Sequence, residues 1–370
     1  MNMHLSAVIP CAGLSSRMDS LKPLLKLGGL PILAHVIETI KSIDPDEILV
    51  VVGHRAEALE PIIAKAGAKV VLNPQFAQGM YSSVRCGVKH VSDNCDAFFF
   101  LPADIPLVRP ATIRRLAEAY RLNPGRIVYP VFSGQRGHPP AIPADVMPAI
   151  LESNGDGGLR AVLACNDHRA LDVPVADENI LFDLDRPEDY TKALQRFPRL
   201  SDPSPAECEA ILSEVHPPND GVVRHGRQVQ RTAVAICRAM NKAGAGLDEH
   251  RVAAAGLMHD IAKGSRDHAF VGGRILKSMG FEHVAKLVAA HTDLPPSDQR
   301  IVGEAAIVYL ADKLTDADRS ISLESRFERS FRRFGRDPEA RSAIEKRRDI
   351  AFSLKRQIEK FTGQPLLQML

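Results

Sequence analysis

Residues 5–25 read LSAVIPCAGLSSRMDSLKPLL, and this stretch decides the architecture of the first half of the chain. Leu5 to Pro10 is a short run of apolar and β-branched residues, the composition of a buried strand. Cys11, Ala12, Gly13, Leu14, Ser15 and Ser16 follow, mostly small, before Arg17 and Lys22. Small side chains let backbone N–H groups turn toward a phosphate. Arg17 adds a bidentate phosphate donor and Lys22 a mobile positive charge, with Pro23 starting a turn. A strand and a small-residue loop alone describe an ordinary strand-to-helix turn. With Arg17 and Lys22 at this spacing, the stretch reads as an anion cradle.

The same alternation continues outward. EILVVVG, KVVLN, AFFFLP and RIVYPVF are strand-like, and PILAHVIETIKS and SSVRCGVKHV between them carry helical periodicity. Strands alternating with crossover helices predict a doubly wound α/β unit with a mostly parallel sheet. Ligands in such units bind at the carboxyl ends of the strands, so the residues just after each run become the first candidates.

The texture changes at RFPRLSDPSPAE, whose Pro and Ser read as an exposed linker. Beyond it helical patterns follow one another: AECEAILSEV, RQVQRTAVAICRAMNKA, EHRVAAAGLMHDIAK, HAFVGGRILKSM, EHVAKLVAAH and GEAAIVYLADKL, then a charged helix over 337–361. This half is predicted to be all-α. The expected organisation is a first domain over 1–197, a linker over 198–206, a second domain over 207–330 and a helical extension over 331–370.

The bulk numbers exclude little but exclude it cleanly. At 370 residues, 45% hydrophobic and 25% charged, the chain suits two globular domains and not disorder. A net charge of +2 gives no whole-chain argument for nucleic acid or membrane. No apolar run approaches the length of a bilayer span, and the start lacks the pattern of a signal peptide. The cysteines are scattered without a CxxC pair, which suits reduced thiols, so a cytoplasmic protein is expected.

With the loop stand further motifs. Gln78-Gly79-Met80-Tyr81-Ser82-Ser83 precedes a helix. Leu101-Pro102-Ala103-Asp104-Ile105-Pro106 follows the strand AFFF. Gly137-His138-Pro139, Gly155-Asp156-Gly157-Gly158-Leu159-Arg160 and Phe182-Asp183-Leu184-Asp185-Arg186-Pro187 come in order after it. Taken one at a time, Asp104 reads as a cap for a helix near Pro110, and Asp183 or Asp185 as a cap for PEDYTKAL. Taken together they resemble the MobA-like NTP transferases, which include the molybdenum cofactor guanylyl- and cytidylyltransferases, over about residues 5–195. Asp19 stands where that family usually has Gly. The resemblance implies a nucleotide-diphospho-sugar-transferase-like Rossmann-type fold. It implies a nucleoside triphosphate held by Cys11, Ala12, Gly13, Ser15, Arg17, Lys22, Gly79, Ser82, Ser83 and Asp104, with His138 near the acceptor pocket. Mg²⁺ would be bound by Asp104 and Asp185, and Arg17, Lys22 and Asp104 would act in catalysis. Pro-Cys-Ala-Gly is closer to the cytidylyl branch, so CTP is the expected nucleotide and a molybdopterin-type phosphate the expected acceptor, with a molybdoenzyme as downstream partner. The chemistry agrees: nucleotidyl transfer needs a hard cation on triphosphate oxygens, and Mg²⁺ takes one or two carboxylates plus water and substrate.

The helical half carries His225, the pair His259-Asp260, His268, His291 and Asp312. GLMHDIAK is apolar on both sides of the doublet, so those side chains are expected to face inward, where they need partners. Imidazole and carboxylate are a common set for divalent metals. The residues resemble the HD superfamily of metal-dependent phosphohydrolases over about 207–320. That resemblance implies His225, His259, Asp260 and Asp312 as core ligands, His268 and His291 as ligands of a second ion, and Lys263 as a phosphate contact. One or two ions are expected, with Mn²⁺, Fe²⁺ and Zn²⁺ as candidates. His216, His250 and His283 read as surface residues. The basic stretch Arg326 to Arg348, with interspersed Asp and Glu and few aromatics, reads as a solvated helical face.

Two competing readings stand beside a bifunctional transferase–phosphohydrolase. A sugar-phosphate nucleotidyltransferase shares the fold but usually carries Gly-x-Gly-x-Arg in the loop. A non-catalytic carrier of the molybdenum cofactor would be expected to have lost some of the carboxylates that this chain keeps.

Overall fold

The strand Leu5–Pro10 is buried along its whole length and lies inside an eight-stranded sheet. It pairs in parallel with Glu47–Val52 on one side and Ala97–Phe100 on the other. These runs are apolar at consecutive positions because both faces of a parallel sheet are covered by helices; Val50, Val51, Phe98 and Phe99 have no exposed surface. The structure, a computed structural model, describes residues 3–13 and 21–370. The chain forms two compact units, Met1–Leu200 and Ser201–Leu370.

The sheet of the first unit is mixed, mostly parallel. Lys69–Leu72 extends it in parallel beyond Glu47–Val52. On the other side Ala141–Pro143 runs antiparallel to both Ala97–Phe100 and Ile127–Phe132, and Ala170–Pro174 pairs in parallel with Ile127–Phe132. Ala141–Pro143 and Ala170–Pro174 were not legible as strands. Each is short and ends in proline, which lacks the N–H that continues a ladder.

A buried ion pair holds this half together. Asp177, 1% exposed, accepts from Arg109 Nη1 at 2.7 Å, from the Arg109 backbone N at 2.8 Å and from Thr112 Oγ1 at 2.7 Å. Asp177 thereby serves the start of the helix Pro110–Leu122, the role that local reading gave to Asp104. Arg109 Nε also donates to the Leu200 carbonyl at 2.9 Å. Removing one partner leaves an uncompensated buried charge. Asp177→Ala is therefore expected to cost the first unit about 3–5 kcal/mol in denaturant unfolding; a loss under about 1 kcal/mol, the size of a surface pair, would contradict this account.

The stretch 196–206 is not the exposed linker its composition indicates. Phe197–Arg199 forms a 3-10 turn, with the Phe197 ring edge-on to His35 at 4.9 Å. Asp202 is 3% exposed and accepts from Arg251. Ser204 caps the helix Pro205–Ala210 in a capping box with Glu207. The Pro and Ser were helix-start signals, Pro in the first turn and Ser with Glu three residues on.

The second unit is built from the helices Asp220–Lys242, Glu249–Met258, His268–Ser278, Glu282–Ala290, Glu304–Lys313, Leu323–Phe334 and Pro338–Thr362. Gly226 lets the first two approach: a Cβ there would lie 2.2 Å from the Leu257 carbonyl oxygen. That close crossing sets the ring of His225, one residue before the glycine, 5.1 Å from that of His259, two residues after Leu257. A two-stranded ribbon, Thr315–Asp316 with Arg319–Ser320, interrupts the helices, and Ala317 in its turn takes φ 52°. His283 is not a free surface residue, because its Nδ1 lies 3.2 Å from the buried Asp202. His250 is half-buried with Nδ1 enclosed. Among the described residues no helix is long and apolar enough to cross a membrane.

Candidate functional site

In the first unit the candidate residues gather at the carboxyl ends of the strands. Ser15 and Arg17 lie outside the described residues. Cys11 and Ala12 are buried, and the Cys11 N–H donates to the Val51 carbonyl at 2.8 Å, so pairing runs one residue past the strand. Burial, with Asp104 adding to it, pushes the Cys11 thiol far up, which makes it an inert wall. Gly13 is the first exposed residue of the loop.

Asp104 follows Ala97–Phe100 and is half-buried. Burial pushes its carboxyl up and Lys22 opposes that, while Asp185 and Asp183 push it further up. The Asp104 carbonyl accepts from Leu184 N at 2.9 Å, which ties the 183–185 segment to the 104 loop. Lys22 Nζ lies 3.8 Å from Asp185 Oδ1. Neither Asp183 nor Asp185 caps the next helix; Asp189 accepts from the Arg186 backbone N there. Carboxylates crowded around one ammonium, at strand ends, are a donor set that fits a hard divalent cation.

Gly79 sits at φ 96°, a region that favours glycine, at the start of the helix Met80–Val88. Ser82 Oγ and Ser83 Oγ both accept from Asn73 Nδ2, at 2.9 and 3.0 Å, and Ser83 is buried. Asn73, the residue after Lys69–Leu72, was missed; its place at a strand end was the available signal. Gly137 brings the His138 segment against Ile180, whose carbonyl oxygen would lie 2.5 Å from a Cβ and accepts from His138 N at 3.0 Å. Burial lowers the His138 imidazole, against Asp183. His138 and Arg160 line a cavity of about 830 Å³ with Phe100 and Tyr129. Arg136, over the Tyr129 ring at 4.4 Å, has its charge engaged by Asp172 and Asp167.

In the second unit the sequence-selected residues converge. His225 lies in Asp220–Lys242; His259 and Asp260 follow Glu249–Met258; His268 opens His268–Ser278; His291 closes Glu282–Ala290; Asp312 lies in Glu304–Lys313. His225 Nε2 is 3.2 Å from Asp312 Oδ1 and 4.0 Å from Asp260 Oδ2. His259 Nε2 is 3.5 Å from Asp260 Oδ2 and 3.6 Å from Asp312 Oδ1. His268 Nε2 and His291 Nε2 stand 3.1 and 3.6 Å from Asp260 Oδ1. Asp260 thus belongs to two groups with metal-ligand spacing, one with His225 and His259 and one with His268 and His291.

Backbone carbonyls orient three of the rings. Nδ1 of His225, His259 and His291 lies 2.7, 2.9 and 2.7 Å from the carbonyls of Ala317, Gly256 and Val288. A carbonyl only accepts, so each Nδ1 carries a proton and Nε2 is turned inward toward the carboxylates, the orientation of an imidazole ligand, whose Nε2 binds a cation in place of a second proton. The His259 Nε2 and Asp260 Oδ1 atoms are buried without a hydrogen-bond partner. Such atoms are costly to leave unpaired, and here they face one another's ligand set, which fits a divalent cation. Burial works to lower His259, yet Asp260 and Asp312 carry it up to about 9. Against burial, Lys313, His225 and His259 hold Asp312 well below the usual carboxylate range.

Two lysines sit on these carboxylates. Lys263 Nζ, on a half-exposed side chain, is 2.8 Å from Asp260 Oδ2. Lys313, which sequence reasoning missed, is buried, with Nζ 2.9 Å from both Asp312 Oδ2 and the His291 carbonyl. The site opens into a cleft of about 600 Å³, and residues of Leu323–Phe334 and Pro338–Thr362 line it, among them Arg326, Phe334 and Arg347. The Arg326–Arg348 stretch is therefore more than a solvated face: it is two helices, and one side of each faces the histidines.

Comparison with known proteins agrees with both halves. A profile described as MobA-like NTP transferase domain matches residues 7–172, and one described as HD domain matches residues 222–317. Molybdenum cofactor cytidylyltransferase of Escherichia coli (strain K12) is 27% identical over 195 residues, 52% of this chain and 97% of that protein. Bifunctional protein GlmU of Burkholderia thailandensis is 36% identical over 117 residues, 31% of this chain, and the match spans only 25% of GlmU. Among solved structures, a nucleotidyl transferase from Methanothermobacter thermautotroptrophicus superposes with a TM-score of 0.47 at 26% identity, over 53% of this chain and 98% of that one. The chain joins a MobA-like NTP transferase domain, matched over residues 7–172, to an HD domain, matched over residues 222–317.

Proposed function

We propose that the first unit transfers CMP from CTP to a phosphorylated acceptor, the molybdopterin cofactor, releasing pyrophosphate, and that the second unit hydrolyses a phosphoester. The observation that carries the first part is the meeting of Asp183, Asp185 and Lys22 with Asp104, in the loop after the strand Ala97–Phe100. The preference for CTP rests on the Pro-Cys-Ala-Gly start of the loop and on the likeness to the cytidylyltransferase of E. coli.

In this reading the acceptor's phosphate oxygen attacks the α-phosphorus of the nucleotide, and the bond to the bridging oxygen of pyrophosphate breaks. No protein nucleophile is needed. Asp104 and Asp185 would hold Mg²⁺, and that ion would offset charge on the triphosphate. Lys22 and Arg17 neutralise charge growing on the transferred group and on pyrophosphate. The cavity lined by His138 and Arg160 receives the acceptor. In the helical unit His225, His259, Asp260, His268, His291 and Asp312 would hold one or two divalent ions, with Mn²⁺, Fe²⁺ and Zn²⁺ as candidates. Such ions supply a nucleophilic water near neutral pH. Lys263 leaves Asp260 to meet the substrate phosphate.

Pyrophosphate release from CTP, GTP and ATP with Mg²⁺, with and without molybdopterin, tests the transferase reading. Release is expected with CTP and only when the pterin is present. Release that instead requires a sugar 1-phosphate makes the chain a sugar-phosphate nucleotidyltransferase. Tight pterin binding without pyrophosphate makes the first unit a carrier.

A further inference from the structure

His291 caps the helix Glu282–Ala290 and begins a stretch, 291–303, that contains neither helix nor strand. No ladder of backbone hydrogen bonds therefore sets where this residue stands. Side chains of the helix Pro338–Thr362, which lies beyond the HD match ending at residue 317, hold the stretch at two places. Arg347 Nε and Nη2 donate to Asp293 Oδ1 and Oδ2 at 2.9 and 2.8 Å, a two-pronged pair two residues past His291. Gln357 Nε2 donates to the Gln299 carbonyl at 3.1 Å, and Gln299 Nε2 donates in turn to the Leu294 carbonyl at 2.6 Å. The helix is itself fixed. Ile344, Ala351, Leu354 and Ile358 are buried along one side, and Arg347 stands three residues after the first and four before the second, on that same side. Tyr309, fully buried, donates its hydroxyl to the Arg347 carbonyl at 3.0 Å. Lys313 Nζ lies over the Tyr309 ring at 4.3 Å and donates to the His291 carbonyl. These contacts close a circuit from Arg347 through Asp293 to His291, Lys313, Tyr309 and back to Arg347.

Bulk stability does not account for the Arg347–Asp293 pair. The Asp293 side chain is 69% exposed, and an ion pair on an exposed carboxylate adds little to folding. What the pair fixes is direction: it sets how the chain leaves the helix at His291, whose Nε2 stands 3.6 Å from Asp260 Oδ1. We infer that the helix Pro338–Thr362 is a strap that positions His291 for a divalent ion, with Arg347 acting through Asp293 and the backbone between Asp293 and His291. Lys313 holds the same residue by its carbonyl, so His291 is gripped on both sides of its own peptide group. The inference rests on the metal-binding reading of the helical site and adds to it a part that lies outside the HD match. Arg347 is a positioning residue in this account and makes no contact with the ion.

The test titrates the full chain with Mn²⁺, reading the free ion by electron paramagnetic resonance, with thermal unfolding alongside. None of the substitutions lies in the first unit, so any Mn²⁺ bound there contributes equally to every variant. Arg347→Met and Asp293→Asn are each expected to weaken Mn²⁺ binding about ten-fold, the low end for loss of an outer partner of a metal ligand, with thermal unfolding nearly unmoved. Arg347→Lys should recover only part of the loss, because an ammonium cannot bond both carboxylate oxygens in one plane. Pairing with ligand variants decides the route. On a His291→Ala background Arg347→Met should cost nothing further; on a His225→Ala background it should cost the same ten-fold as in the wild type. A merely structural role would add its loss to both backgrounds. Unchanged Mn²⁺ affinity in Arg347→Met, or equal losses on the two backgrounds, overturns the inference. The metal reading fails in a different way. If His291→Ala and Asp260→Asn both bind Mn²⁺ as the wild type does, no ion sits among the histidines, and the strap falls with that reading. If they lose binding and Arg347→Met does not, the strap falls alone.

Discussion

Asp260→Asn is expected to strip the helical unit of divalent metal and to lower phosphoester hydrolysis by roughly a thousand-fold or more, beyond the ten- to hundred-fold typical of groups that only orient a ligand. The reason is that Asp260 is shared. Its Oδ2 faces His225 and His259, and its Oδ1 faces His268 and His291. No other residue belongs to both metal-spaced groups among the described residues. Asn keeps the size but loses the charge that draws a cation between buried imidazoles, and one of its two ends becomes a donor aimed at the same centre. The single-group variants should behave differently. His225→Ala removes a ligand from one group and His268→Ala from the other, so each should leave about half of the bound metal if the site takes two ions. Plasma mass spectrometry of the wild type and the three variants, alongside phosphate release, gives the answer. Full metal content in Asp260→Asn would show that Asp260 is a structural partner of the histidines and that the ions, if any, are held elsewhere.

Much of this site was legible because the chemistry is expensive to bury. A His-Asp doublet inside GLMHDIAK has no cheap structural use, and the fold surrounds it with three more imidazoles and a second carboxylate. What was not legible is what depends on approach distance. That Gly226 rather than its neighbours lets two helices touch at Leu257 cannot be read from composition. Nor can the three backbone carbonyls that turn His225, His259 and His291 inward, since one of them belongs to Ala317, in a turn distant in sequence. Nor does the helical pattern around Lys313 show that its ammonium is buried against Asp312 and the Tyr309 ring.

The first unit divides along the same line. The strands built on runs of valine, isoleucine, leucine or phenylalanine were found from those runs, and their order along the chain gave the α/β class. The reversed strand Ala141–Pro143 was not found, because three residues carry no periodicity. Asp104 and Asp185 were located by the resemblance to the MobA-like NTP transferases. Their meeting required the Leu184 N–H to donate to the Asp104 carbonyl, a single backbone contact 80 residues apart in sequence that no local pattern announces. The stretch 196–206 shows the opposite error. Its Pro and Ser were read as an exposed linker, when Ser204, Pro205 and Glu207 were spelling a helix start.

Asp104→Asn is expected to lower pyrophosphate release by roughly a thousand-fold, the upper range for loss of one group that stabilises developing charge, while leaving the first unit at least as stable as the wild type. The two signs together are what identify the residue. A carboxylate kept for stability has donors around it, as Asp177 has Arg109 and Thr112. Asp104 instead is pushed up by burial and by two further carboxylates, with Lys22 as the opposing charge. Neutralising it relieves like-charge crowding, and Lys22 remains beside Asp185 at 3.8 Å. Activity is therefore expected to fall because the cation would lose a ligand, while thermal unfolding does not move down because burial and like charge on Asp104 outweigh its attraction to Lys22. Lys22→Ala should act through the other side of the same balance, with a loss of about a hundred-fold or more carried mainly by kcat, because its charge is needed most when the pyrophosphate bond is breaking. Steady-state pyrophosphate release and thermal unfolding of both variants check the pair of effects. If Asp104→Asn keeps more than a tenth of the wild-type rate, the metal is held by the 183–185 segment without it; if the variant is inactive but clearly destabilised, Asp104 belongs to the scaffold and the loss of activity says nothing about the cation.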